Sequence, residues 1–393
     1  MFTRLLLHAL PLLLGVLISP CPAVSLDGPW QLCRTQSSES PAADAKWSEI
    51  EVPALVDQLD GHPFLWYRRT FRLPESAAGR HLFLQFGAVR FVCEVYLNGE
   101  HVGGHYGGWE PFEVEISGAC RGGDNELVVR VQDVTGMVEQ EMDYAKQGRG
   151  VRFVAQAKDA IMAPVGSQSH RIGIWEPVSL VARGDVYVDD VFVRTSVRRK
   201  RIEAIVRVKN LGETARTVGV RCRVEGAGMT LPPASVSVAA GETVAHTLAA
   251  DWPNPRLWNP EDPHLDYLET TVEQSGKPLD TRRTRFGFRE FWTDGPNLVL
   301  NGTPMKFLAT AGHPRGELNG EMSKAAAVDF YRRIREAGCV AMRLHANVWP
   351  SHWYDAADEV GMPIILESAL FCWAENYALS KPKFWENYHE HLR

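Results

Sequence analysis

Phe91-Val92-Cys93-Glu94-Val95-Tyr96-Leu97-Asn98-Gly99 decides the fold of the first half of the chain. Phe91, Cys93, Val95 and Leu97 recur at period two, which turns one face of a strand into a core. Asn98-Gly99 then supplies two residues that accept positive φ, as a two-residue hairpin turn requires. The alternation continues upstream through Leu82, Leu84 and Phe86, and downstream through Leu127, Val129 and Val131. Strands at this spacing predict an all-β jelly-roll sandwich over residues 26–184. From Thr135 to Gly173 the alternation fails and the chain becomes polar and glycine-bearing. A long irregular insertion in a compact β domain is functional or mobile, and its alternative is a solvated loop.

Residues 185–287 have the length of an immunoglobulin-like β-sandwich. Ile202, Ala204, Val206 and Val208 alternate, as do Val218, Val220, Cys222 and Val224, with Asn210-Leu211-Gly212-Glu213 turning between them. Arg198-Arg199-Lys200-Arg201 reads as a solvated hairpin tip. Beyond residue 287 the period changes. Met305–Thr310, Val340–Leu344 and Pro363–Glu367 read as strands. Ser323 caps a helix with the apolar face Ala327, Phe330, Tyr331 and Ile334, stopped by Gly338. Ser351–Val360 is a short helix ended by Gly361, and another begins near Pro382. Strand and helix in alternation predict parallel βα units. A closed βα barrel takes about 250 residues, so 288–393 holds roughly three of its eight units. The expected architecture is therefore a jelly roll, an immunoglobulin-like sandwich and the opening of an incomplete TIM barrel, as the front part of a longer protein.

The 393 residues carry 42 Lys+Arg against 48 Asp+Glu, a net charge of −6. With 45% hydrophobic and 23% charged residues, the chain is excluded from the disordered, collagen-like and coiled-coil classes. Mild acidity argues against nucleic acid as a partner, since binders of phosphate backbones carry a basic surplus. Arg4, the apolar run Leu5–Ile18 and the small residues Ala23-Val24-Ser25 make residues 1–25 a secretory signal. The run is shorter than the about 20 residues of a membrane span and is broken by His8 and Pro11. Export to the periplasm or outside the cell is expected. Lipid attachment at Cys21 is the alternative, opposed by Pro20. Cys33, Cys93, Cys120, Cys222, Cys339 and Cys372 remain, an even number that permits disulfides in an exported protein. Their wide spacing favours buried thiols on strands.

Other chemistries find little support. No Gly-x-Ser-x-Gly elbow and no Walker-type loop is present. Gly103, Gly104, Gly107 and Gly108 lie in a β loop rather than at the start of a helix. His389-Glu390-His391 lacks the four-residue spacing of a helical metal pair and reads as a solvated helix. Asn301-Gly302-Thr303 fits both a glycosylation sequon and a hairpin turn, of which the turn is favoured.

Several strings, in order, resemble glycoside hydrolase family 2. Leu26-Asp27-Gly28-Pro29-Trp30, Trp47 with Val52-Pro53, Trp66-Tyr67-Arg68-Arg69-Thr70-Phe71 and Val95-Tyr96-Leu97-Asn98-Gly99 resemble its sugar-binding domain. So do Gly107-Gly108-Trp109-Glu110-Pro111-Phe112 and Gly173-Ile174-Trp175-Glu176-Pro177-Val178. Trp258-Asn259-Pro260 with Pro263-His264-Leu265 is similar to the end of its middle domain. Arg285-Phe286-Gly287-Phe288-Arg289-Glu290 and Leu300-Asn301-Gly302-Thr303-Pro304 resemble its approach to the barrel. The resemblance implies a retaining exo-β-glycosidase such as a β-galactosidase, β-glucuronidase or β-mannosidase. Its acid/base and nucleophile Glu stand about 5 Å apart.

In the family these residues end the fourth and seventh barrel strands, and the acid/base follows an Asn. Asn125-Glu126 is such a pair, but it lies in the jelly roll. No catalytic residue is therefore assigned here, and the chain alone is expected to be inactive. The resemblance leaves a substrate wall at the strand ends: Arg343, His313, His345, Asn347, Glu367 and Trp373. Ala309 stands where the family has Gly, and His345 follows Arg343 by two residues rather than three. Glu367 reads either as a structural carboxylate paired with Arg343 or as a ligand contact. Trp349, Trp353 and Trp373 read as sugar platforms or as core. The implied partner is a β-glycoside, with a homo-oligomer left open. No cofactor is assigned, although magnesium binds near this region in some relatives. A carbohydrate-binding protein that uses the jelly roll without catalysis is the alternative function.

Overall fold

The computed structural model describes residues 23–57, 64–132, 171–312, 323–345, 348–368 and 382–392. The signal segment up to residue 22 and most of the 135–173 insertion lie outside them.

The first domain is a β-sandwich. One sheet has the strand order Ser48–Val52, Gly28–Thr35, Phe64–Arg72, Asp124–Gln132, Val92–Leu97, Glu100–Tyr106. The opposing sheet is Val24–Ser25, Val178–Arg183, His81–Phe86, Phe112–Glu115. Between them pack the alternating residues read from sequence: Leu84, Phe86, Phe91, Val95, Leu97, Leu127, Val129 and Val131 are all 0% exposed. Asn98 (φ 54°) and Gly99 (φ 86°) close the anticipated hairpin. Val24 pairs with Leu180 and Ser25 with Ser179. The ladder thus begins two residues before the expected leader boundary. A short third sheet, Val56–Asp57, Arg171–Ile174, Val89–Arg90, lies at one end of the sandwich.

The second domain packs a three-stranded sheet (Val186–Ser196, Arg201–Asn210, Thr243–Asp251) on a four-stranded one (Thr230–Val238, Arg216–Val224, Asp266–Gln274, Lys277–Phe286). Ile202, Ala204, Val206, Val208, Val220 and Cys222 are fully buried between them. The basic tip is paired rather than simply solvated. Arg198 Nε donates to Glu290 Oε1 at 2.7 Å, and Arg199 and Arg201 face Glu203 at 3.7 and 3.4 Å.

The third region holds a three-stranded parallel sheet, Ala309–Gly312, Ala341–Leu344, Ile364–Leu366. The first strand is shifted from the expected Met305–Thr310. Thr303–Met305 instead closes an antiparallel hairpin on Asn297–Leu300, because its β pattern is satisfied by the nearer partner. Helices Lys324–Glu336, Ser351–Val360 and Pro382–His391 accompany the sheet. Ser323 Oγ accepts from Ala326 N, capping the first helix. Gly361 ends the second at φ 75°, where a Cβ would lie 2.3 Å from Pro260 O. Among the described residues Cys33, Cys93, Cys120, Cys222 and Cys339 are free thiols, the first, second and fourth buried.

Candidate functional site

Parallel pairing sets the three strand ends side by side, which places Arg343, His345 and Glu367 together. Arg343 Nε donates to Glu367 Oε1, and His345 Nδ1 lies 2.9 Å from Glu367 Oε2. One carboxylate thus orients a guanidinium and an imidazole, all three part-exposed at 43%, 33% and 29% of their side-chain area. A guanidinium on Glu367 is a poor neighbour for a magnesium ion. Among the described residues no group of three or more His, Cys, Asp or Glu could hold a metal. His313, Asn347 and Trp373 lie outside the described residues.

Trp349 and Trp353 are core residues, 2% and 0% exposed, as the favoured of their two readings has it. Their rings meet edge to face at 4.6 Å, and Trp353 also packs on Phe330 and Tyr331 at 5.4 and 5.5 Å. Burying such side chains is worth about 1.5–3 kcal/mol each, which explains why the folded domain takes them in.

The jelly roll packs against the segment that follows the second parallel strand and against the Ser351 helix. Trp109 and Trp175 meet edge to face at 5.4 Å, and Trp175 Nε1 donates to Gly108 O at 2.9 Å. They pack with Ala88, Phe384, Tyr388 and Val348, a residue of the segment after the second parallel strand. Glu176 accepts from Ser351 N (2.9 Å) and Ser351 Oγ (3.0 Å), anchoring the first turn of the Ser351 helix from across the junction. Burial pushes its carboxyl up, and Ser351, His352 and Arg90 only partly oppose this. A cavity of about 420 Å³ at the junction is bordered by Trp109, Trp175, Glu176, Val348, Ser351 and Tyr354.

The Pro382 helix docks on the same edge. His391 Nδ1 lies 2.8 Å from Glu110 Oε1, with 2% and 5% of the two side chains exposed. His105 Nε2 faces Glu390 Oε1 at 3.1 Å, and Asn387 Nδ2 donates to Tyr106 O at 3.2 Å. The solvated reading of His389-Glu390-His391 is thereby corrected: its last two residues clamp one domain to another. Glu110 Oε2 also accepts from Gly108 N and Trp109 N at 3.1 Å. Burial raises the Glu110 carboxyl, but the His391 and backbone bonds outweigh it and hold it below its ordinary value.

Sequence reasoning missed Arg90, Glu110 and Glu176 as single residues. The available signal was a charge inside an apolar run, as in Ala88-Val89-Arg90-Phe91-Val92.

The family model "Glycosyl hydrolases family 2, sugar binding domain" matches residues 54–148, and "Glycosyl hydrolases family 2" matches 186–289, together half of the chain. The chain belongs to glycosyl hydrolase family 2. A β-glucuronidase of Formosa agariphila is 23% identical over 300 residues, 67% of this chain and 30% of that protein. A β-galactosidase of Thermoanaerobacter pseudethanolicus is 26% identical over 316 residues, covering 77% and 39% of the two chains. The crystal structure of a Bacteroides uniformis β-glucuronidase superposes with a TM-score of 0.74 at 21% identity, over 94% of this chain and 44% of that one. This family 2 chain spans less than two thirds of the length of such relatives, from 27% to 52% for the Formosa and Paenibacillus borealis proteins. Among the described residues no helix is long and apolar enough to cross a membrane.

Proposed function

We propose that this chain is the N-terminal part of a retaining exo-β-glycosidase. It builds the substrate wall, while the acid/base and nucleophile Glu belong to βα units outside the chain. The three parallel strands are then the opening of a TIM barrel whose active site lies at the strand ends. The observation that carries this reading is the Arg343–Glu367–His345 cluster at those ends. Arg343 presents a planar fork of donors, and Glu367 holds that fork in place while His345 flanks it. The sequence candidates His313, Asn347 and Trp373, which lie outside the described residues, belong to the same proposal. Export by an N-terminal leader that ends before the strand at Val24 is part of the same proposal.

The relatives named β-glucuronidase and β-galactosidase support a β-glycoside as substrate without choosing the sugar. The test extends the chain with its own downstream coding sequence through two further carboxylate-bearing strands. The extended enzyme should hydrolyse a nitrophenyl β-glycoside with retention of anomeric configuration, read by NMR. Arg343→Gln should lower its kcat/KM by about 100-fold, close to 3 kcal/mol of transition-state stabilisation. Inversion of configuration, or full activity in the variant, would contradict the proposal.

A further inference from the structure

Trp109-Glu110-Pro111 and Trp175-Glu176-Pro177 repeat one tripeptide within the jelly roll. Both glutamates cross to the third region, Glu110 to His391 and Glu176 to Ser351. Their destinations differ. His391 lies in the last turn of its helix, whereas Ser351 opens one. Ser351 also ends the βα turn that follows Arg343 and His345, and such turns build the face at which these folds hold their substrates.

The Ser351 helix does not cap itself. Pro350 stands at its N-cap without a side-chain acceptor, and its first turn holds no acidic residue. Glu176, 7% exposed, takes the place of both. Its Oε1 accepts from Ser351 N at 2.9 Å and its Oε2 from Ser351 Oγ at 3.0 Å. A carboxylate there also meets the positive end of the helix dipole. Glu176 is itself held in place. Gly87 N donates to Pro177 O at 2.8 Å, and a Cβ on Gly87 would lie 2.6 Å from Glu176 Cβ, so glycine is what lets the two loops close.

From Ser351 the contacts run back to the cluster. Trp349 N donates to Tyr354 Oη at 3.0 Å, which ties the turn to the same helix. The buried Trp349 ring covers Gly312 at the end of the first parallel strand. A Cβ on Gly312 would lie 3.2 and 3.3 Å from its Cη2 and Cζ2. Gly312 O accepts from His345 N at 3.0 Å, and His345 Nδ1 faces Glu367 Oε2 at 2.9 Å. An ionised carboxylate only accepts, so this ring nitrogen carries the proton.

We propose that Glu176 is a positioning residue for the substrate wall: from the jelly roll it fixes the turn at Trp349–Ser351, and through Trp349 and Gly312 it sets where His345 meets Glu367. This role rests on the glycosidase reading and deepens it, because it makes the neighbouring domain part of the geometry of the wall.

The test reads the His345 ring in the full chain by nitrogen NMR of isotope-labelled histidine in mildly alkaline buffer, with His345→Gln identifying its signal. Wild type should show the proton on Nδ1. Glu176→Ala should move the signal toward the tautomer mixture of a free side chain. Glu176→Gln, whose amide oxygen still accepts from Ser351 N, should keep it near wild type. Arg198→Ala breaks the pair with Glu290 in the second domain and lowers stability without touching the turn, so it should leave the signal in place. In the downstream-extended enzyme, Glu176→Ala should lower kcat/KM on a nitrophenyl β-glycoside about tenfold, with Glu176→Gln within about threefold of wild type.

If Glu176→Ala does not fold, Glu176→Asp, which withdraws the carboxylate by one methylene, takes its place. A wild-type His345 without the Nδ1 proton, a signal unmoved in the folded variant, or one moved as far by Glu176→Gln or Arg198→Ala would overturn the proposal. So would unchanged kcat/KM in the extended variant. An extended wild-type enzyme without hydrolytic activity would end the glycosidase reading, while the NMR comparison still decides whether Glu176 governs His345.

Discussion

At the scale of single residues, Glu176 and Asn301 each tie distant segments together. Glu176 sits in the jelly roll and accepts two hydrogen bonds from Ser351, 175 positions away. Removing a buried acceptor that caps a helix costs about 1–3 kcal/mol. Glu176→Ala should lower unfolding stability by that amount in denaturant titration, with Glu176→Gln losing less. The raised carboxyl pKa sets the sign with pH: the ionised form is disfavoured in the fold, so this penalty is relieved as pH falls through the raised value. Asn301 takes φ 54° in a turn with Gly302, while Nδ2 donates to Trp258 O and to Asn259 Oδ1, both at 2.9 Å. Expressed in a glycosylating host, the chain should show no glycan mass at Asn301. A modified Asn301 in folded protein would refute this geometry. The turn was legible from Asn-Gly alone, whereas the three-way bridge was not, because its partners come from a separate loop.

At the scale of elements, the Pro382 helix is bound by reciprocal contacts: it presents His391 to Glu110 and Glu390 to His105. The depressed Glu110 pKa means that its contribution is present above its ordinary value of 4.5 and is lost as pH falls through the lower folded value. Hydrogen exchange at residues 382–392 should therefore accelerate in that acid window. Glu110→Gln should remove the acid step and destabilise docking by about 1–3 kcal/mol at neutral pH. An acid step of unchanged size in this variant would show that Glu110 is not the sensor.

Periodicity located the helices well, because Ala327 and Tyr331 lie on one face and Ser323 marks its own cap. It misplaced the first parallel strand, because Thr303–Met305 and Ala309–Gly312 have equally strand-like patterns and only tertiary pairing separates them.

At the scale of the molecule, the two β-sandwiches were readable from alternation along the chain, since each buries its own alternating residues. The candidate site was readable only in part. Arg343 and Glu367 could be placed at strand ends, but the aromatic corner around Arg90 forms from Trp109 and Trp175, 19 and 85 positions further along the chain. No local pattern marks such a convergence. The proposed function has this chain contribute only the substrate wall, with the reacting carboxylates outside it. The most direct measurement is nitrophenol release from nitrophenyl β-glucuronide and β-galactoside by the purified 393-residue chain. The expected rate is indistinguishable from buffer, and sustained turnover proportional to protein concentration would overturn the proposed function.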